Sequence, residues 1–77
     1  MKINKNALDI LKAALKEEKI KGEILYDDNL GVNYIFVISQ RDLKLTIIIL
    51  DILNFHVIFI QPLGKNKFEI LFNPAKK

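Results

Sequence analysis

Few side chains in this sequence could act as a nucleophile or as a base. The chain has no cysteine, and Ser39, Thr46 and His56 are its single serine, threonine and histidine. Catalysis by a Ser39–His56 pair would also need an oxyanion-binding loop, and no nucleophile-elbow motif surrounds Ser39. We therefore predict no catalytic residues and expect that the protein is not an enzyme.

The segment Asp27-Asp28-Asn29 resembles the first positions of an oxygen-ligand loop for Ca²⁺. An EF-hand loop would continue with glycine at its sixth position and glutamate at its twelfth, but these positions hold Val32 and Ile38. The glycines are isolated, so no phosphate-binding loop is indicated. We expect a polar hairpin turn here, and no metal, cofactor or small-molecule substrate.

Lysine is the main source of charge in the sequence, which carries a net charge of +3. At about 100° per residue, four lysines lie together on one flank of the first predicted helix. This candidate nucleic-acid surface consists of Lys5, Lys12, Lys16, Lys19 and Arg41. Nucleic-acid surfaces favour arginine and stacking aromatic residues, and the chain has one arginine. Nucleic-acid binding is therefore the alternative function.

The helix that positions these lysines is predicted over residues 5–21. Asn4 or Asn6 is a suitable N-cap, and Gly22 is a suitable end. Its apolar arc contains Ala7, Leu8, Ile10, Leu11, Ala14 and Leu15. This spacing is typical of an amphipathic helix that packs on a sheet.

After Gly22 the apolar period changes to two, which is typical of strands. Strands are predicted over 23–27, 32–39, 43–50, 55–61 and 67–72, with a turn at 28–31 and a tail at 73–77. Asp51 and Asn54 would be the ends of a tight turn between the third and fourth strands. The predicted fold is a single α+β domain over 1–77: one N-terminal amphipathic helix packed on an antiparallel β-meander of four to five strands.

The apolar run from Leu43 to Ile60 could also be a membrane helix, but Asp51 and His56 lie inside it. An aspartate near the centre of a membrane helix costs roughly 2.5–3.5 kcal/mol. Residues 1–22 mix charged and apolar residues and lack the apolar segment of a signal peptide. We therefore expect no membrane association and a cytoplasmic protein.

Both faces of the predicted sheet are apolar. The core face would carry Tyr34, Phe36, Ile38, Leu45, Ile47, Ile49, Phe55, Val57, Phe59, Phe68, Ile70 and Phe72. The second face and its border give the predicted protein interface: Ile35, Val37, Ile48, Leu50, Ile52, Leu53, His56, Ile58, Ile60 and Leu71. One helix cannot cover both faces, and an exposed apolar patch of this kind usually marks an interaction site.

The leading functional hypothesis is therefore a small non-enzymatic protein-interaction module. We expect it to form a homodimer through the second sheet face. It would act as an adaptor, or as an inhibitor of a macromolecular partner, if a further protein binds there.

Overall fold

The computed structural model describes residues 2–75, which form two helices and four strands. In chain order these are α1 (Lys5–Glu17), β1 (Ile24–Asp27), β2 (Val32–Val37), α2 (Gln40–Ile52), β3 (Phe55–Pro62) and β4 (Phe68–Pro74). The strands form one antiparallel sheet in the order β1-β2-β4-β3. The α+β class with an antiparallel sheet is confirmed, but there are two helices in this part of the chain rather than one.

The strand predicted over 43–50 is wrong, because this segment lies in α2. Ser39 is the N-cap of the helix, and its Oγ accepts a hydrogen bond from the backbone N–H of Asp42 at 3.0 Å. Serine followed three residues later by an acidic residue is a known signature of a helix start. It outweighs the strand preference of the β-branched isoleucines at 47–49.

The buried stripe of α2 explains why packing favours a helix here. Leu43, Thr46, Leu50 and Leu53 recur every three or four residues, and Thr46 and Leu50 are completely buried. This spacing puts all four side chains on one side of a helix. Over the described residues, no helix combines the length and apolar character needed to cross a membrane.

Asp51 and Asn54 do not form the predicted turn. Asp51 belongs to the last turn of α2, and Asn54 follows the C-cap Leu53 with φ 66°. The backbone N–H of Asn54 donates to the carbonyl oxygen of Asp51 at 3.0 Å. Asn54 therefore adopts the left-handed conformation expected of it, but it does so to end a helix.

The helix α1 ends earlier than the predicted residue 21. It begins after Asn4, whose Oδ1 accepts from the backbone N–H of Ala7 at 2.8 Å. At the other end, Ile20 N–H donates to the Leu15 carbonyl and Lys19 N–H to the Lys16 carbonyl, both at 2.9 Å. This pair of bonds is a Schellman motif, which ends the helix before Gly22 is reached.

The β1–β2 hairpin turns at residues 28–31, as predicted. Asp27 Oδ1 accepts from the backbone N–H groups of Asn29 and Leu30, and Gly31 has φ 66°. At the other end of the chain, β4 continues to Pro74, so the predicted tail 73–77 begins inside a strand. The last two residues of that tail, 76 and 77, lie outside the described residues.

A β-bulge interrupts β3. Val57 lies opposite Phe72 and Phe59 lies opposite Leu71, so Ile58 is an extra residue in the ladder. Because successive side chains in a strand point to opposite faces, the bulge exchanges the faces of the residues that follow it. Phe59, which was predicted to face the core, therefore lies on the other side of the sheet.

Both helices pack on the same face of the sheet and form one core with it. Its buried hydrophobic residues are Ile3, Leu11, Leu15, Ile20, Ile35, Val37, Leu50, Phe55, Ile70 and Phe72. For β2 the predicted faces are reversed, since Ile35 and Val37 are buried and Phe36 is 37% exposed. No other described element covers the second face, which we call the open face.

Candidate functional site

One apolar residue from each strand contributes to a row across the open face. The pairing register places Leu25 opposite Tyr34, Tyr34 opposite Leu71, and Leu71 opposite Phe59. Residues directly opposite each other in an antiparallel sheet point to the same side. We call Leu25, Tyr34, Leu71 and Phe59 the open-face row.

Further apolar side chains extend this row. The rings of Tyr34 and Phe36 pack edge to face, with their centroids 5.4 Å apart. Val32 and Leu30 line a shallow depression of about 200 Å³ beside them. Phe36 is 37% exposed, Phe59 is 54% exposed and Leu30 is 68% exposed. The open face therefore presents a continuous aromatic and aliphatic surface.

Few charges interrupt this surface. Within the strands, the charged side chains on the open face are Glu69, which lies between Phe36 and Gln61, and Asp27, at the end of β1. The Asp27 carboxylate is already bonded to the backbone of the turn. The open face is thus mostly uncharged, whereas 27% of the residues in the whole chain are charged.

The strand β3 borders the open face and is an edge of the sheet. Ile58 is 46% exposed and Ile60 is 36% exposed. A long apolar edge is a template for adding another strand. However, the bulge at Ile58 breaks the ladder, and Pro62 has no N–H to donate. The geometry therefore favours packing on the face over pairing along this edge.

Three predicted interface residues lie in the core instead. Ile35 is 1% exposed, and Val37 and Leu50 are completely buried. For Ile35 and Val37 the reason is that the helices pack on their side of β2. For Leu50 it is that the segment is a helix whose apolar stripe points inward. None of the three can contact a partner without unfolding.

The remaining predicted interface residues are not brought together. Ile48 and Ile52 are exposed on α2, in the layer behind the sheet, and Leu53 packs against the core. His56, Ile58 and Ile60 lie on β3; Ile60 is opposite the core residue Ile70. Leu71 alone belongs to the open-face row.

The prediction missed Tyr34, Phe36 and Phe59 as surface residues and assigned them to the core. The pairing of Ser39 with Asp42 was the signal that could have revealed α2, and with it a second helix to cover one face. When a strand is apolar on both sides, its sequence does not show which side the helices cover.

The predicted nucleic-acid residues are only partly available. Lys5 forms an ion pair with Asp9 at 3.5 Å. Arg41 donates to Asp42 Oδ1 at 3.0 Å and to the carbonyl oxygen of Glu18 at 3.1 Å. Arg41 therefore joins the two helices, whereas Lys12, Lys16 and Lys19 line a cleft.

The structure does not support a Ser39–His56 pair. Ser39 is the N-cap of α2 and follows β2 at the end of the sheet where Pro62 lies. His56 pairs with Asn73 at the opposite end of the sheet. In the described part of the chain, no three acidic or histidine residues are grouped to hold a metal. The open face is therefore the strongest candidate site.

Comparisons with protein-family models, with curated proteins and with solved structures found no match.

Proposed function

We propose that the protein is a small interaction module that self-associates by packing its open face against the open face of a second copy. The observation that carries this proposal is the open-face row, which crosses all four strands without a charged residue. Two sheets that pack face to face lie about 10 Å apart, with their side chains interdigitated.

Charge favours a second copy as the occupant. A two-fold axis brings identical surfaces together, so a strongly charged face would repel itself. The open face has few charges, and Glu69 is only half-buried beside Gln61. A partner of strong opposite charge would find little to bind on this face.

The area of the face indicates a reversible dimer. Four strands about 4.8 Å apart and about 20 Å long give a projected face of about 400 Å² per copy. Specific interfaces usually bury roughly 800 Å² of accessible surface on each partner, and complexes at the small end of the range are weak or transient. The accessible surface of a face is larger than its projection, so the open face is at most of this standard size. We therefore expect dissociation constants in the micromolar range. A role as an adaptor or inhibitor would rest on this association and stays a prediction.

Sedimentation velocity on two matched variants tests the proposal. Phe59 is 54% exposed in the open-face row, and Ile48 is 53% exposed on α2. Phe59→Glu buries a charge in the interface and should weaken association at least about 30-fold, equivalent to about 2 kcal/mol. Ile48→Glu makes the same change in charge behind the sheet and should leave association unchanged.

Both variants replace exposed residues, so their circular dichroism should match that of the unmodified chain. An unmodified chain that remains monomeric up to about 100 µM would refute the dimer, since that lies well above a micromolar dissociation constant. Dissociation by Ile48→Glu but not by Phe59→Glu would show that a different surface associates.

A further inference from the structure

An open cleft of about 850 Å³ lies between the C-terminal end of α1 and the segment that leads into β1. Within residues 2–75, four lysines line it, and all four are exposed. They are Lys12, Lys16, Lys19 and Lys21. Leu15 and Ile20, which also line the cleft, are buried. Among the described lining residues, Glu23 is the one acidic side chain. The cleft therefore combines an apolar base with a positive rim.

In the described part of the chain, no carboxylate lies close enough to these lysines to form an ion pair. The ion pairs among residues 2–75 are Lys5–Asp9 and Arg41–Asp42, and no cleft lysine takes part in either. Lys12 and Lys16 are four residues apart on α1, and Lys19 follows three residues later. Like charges at these spacings lie close together and repel each other. An anion bound in the cleft would remove that repulsion.

The end of α1 fixes the position of Lys19 at the cleft. Lys19 has φ 58° and occupies the Schellman position, which is usually glycine because other residues are strained there. The lysine side chain is therefore held at the mouth of the cleft at a cost in backbone conformation.

We infer that the cleft binds the phosphodiester backbone of a single-stranded nucleic acid, without regard to sequence. Lysine binds phosphate as a point charge and does not require fixed geometry. From Lys12 to Lys16 the rise along α1 is about 6 Å, and Lys19 follows the end of the helix. The lysines are therefore spaced widely enough for successive phosphates of one strand. A flexible strand can follow a concave cleft, whereas a stiff duplex cannot bend into it.

No aromatic side chain on which a base could stack is found among the described residues that line the cleft. Binding should therefore come from the phosphates alone and depend strongly on salt. This site extends beyond the proposed self-association, because no residue of the open-face row lines it.

Fluorescence anisotropy with a labelled oligothymidylate of about 12 nucleotides tests the inference. At about 20 mM salt the chain should bind, and log K against log salt should have a slope of about −3 if four phosphates are neutralised. Lys12→Gln combined with Lys16→Gln should halve that slope. Lys19→Gly should reduce it by about a quarter while raising the urea midpoint of unfolding, since glycine relieves the strain.

Lys65→Gln is the control, because it removes one charge outside the cleft. It should leave the slope unchanged. Absence of binding at low salt would overturn the inference. Equal affinities for the unmodified chain and the cleft variants would also overturn it. A decrease of the slope in Lys65→Gln as large as that in Lys19→Gly would do the same. A duplex that binds as tightly as the single strand would also contradict it.

Discussion

At the scale of single residues, Thr46 is the least expected member of the core. Its side chain is completely buried in α2, and its Oγ1 has no hydrogen-bond partner among the described residues. A buried hydroxyl that loses water without gaining a partner costs roughly 1–3 kcal/mol. Thr46 therefore lowers the stability of the fold at the point where α2 packs on the sheet.

Thr46→Val should raise the free energy of unfolding by about 1 kcal/mol, because it replaces the unbonded hydroxyl with a methyl group of similar shape. Urea unfolding followed by circular dichroism measures the change. Thr46→Ser is the control: it keeps the hydroxyl, loses the methyl group and should destabilise the protein by about 1 kcal/mol. A less stable valine variant would show that the hydroxyl forms a stabilising bond.

At the scale of elements, the sequence predicted those whose signals are local. The turn with Gly31 in the left-handed conformation and the hairpin around it are as expected, because aspartate and glycine favour that turn. The strand predicted over 43–50 is wrong because the β-branched isoleucines in this segment favour a strand and obscure its helical period. The cap formed by Ser39 was the local signal that should have decided between helix and strand.

Ser39→Ala should lower the free energy of unfolding by about 1 kcal/mol, the usual cost of losing an N-cap. The reason is that the Asp42 backbone N–H would lose its acceptor at 3.0 Å. Ser39→Asn retains a capping oxygen and should lower the free energy of unfolding much less. Chemical denaturation of the three proteins side by side measures the effect. Equal stabilities for the alanine and asparagine variants would mean that the cap contributes nothing to α2.

The faces of the strands could not be predicted from the sequence. Both sides of β2 are apolar, so alternation alone does not show which side the helices cover. In β3 the bulge at Ile58 exchanges the faces in the middle of the strand, and no residue type marks it. Phe59 and Ile35 were consequently assigned to the wrong sides. The conclusion that one apolar face is left uncovered did not depend on that assignment.

At the scale of the whole molecule, the fold has two layers, with both helices on one side of a four-stranded sheet. A chain of this size buries only a small core and is marginally stable. Leaving one apolar face of the sheet uncovered forgoes the stabilisation that burying it would give. Packing that face against a second copy would supply a third and a fourth layer. The lysine cleft lies at the end of the helical layer and would remain open in such a dimer.

The proposed dimer requires that two copies meet through their open faces. An isotope-filtered NMR experiment on a mixture of labelled and unlabelled chains tests it most directly, because only contacts between copies give a signal. We expect intermolecular contacts between the rings of Tyr34, Phe36 and Phe59 and the methyl groups of Leu25 and Leu71. Intermolecular contacts confined to Ile48 and Ile52 on α2, or none at millimolar concentration, would show that the open faces do not meet.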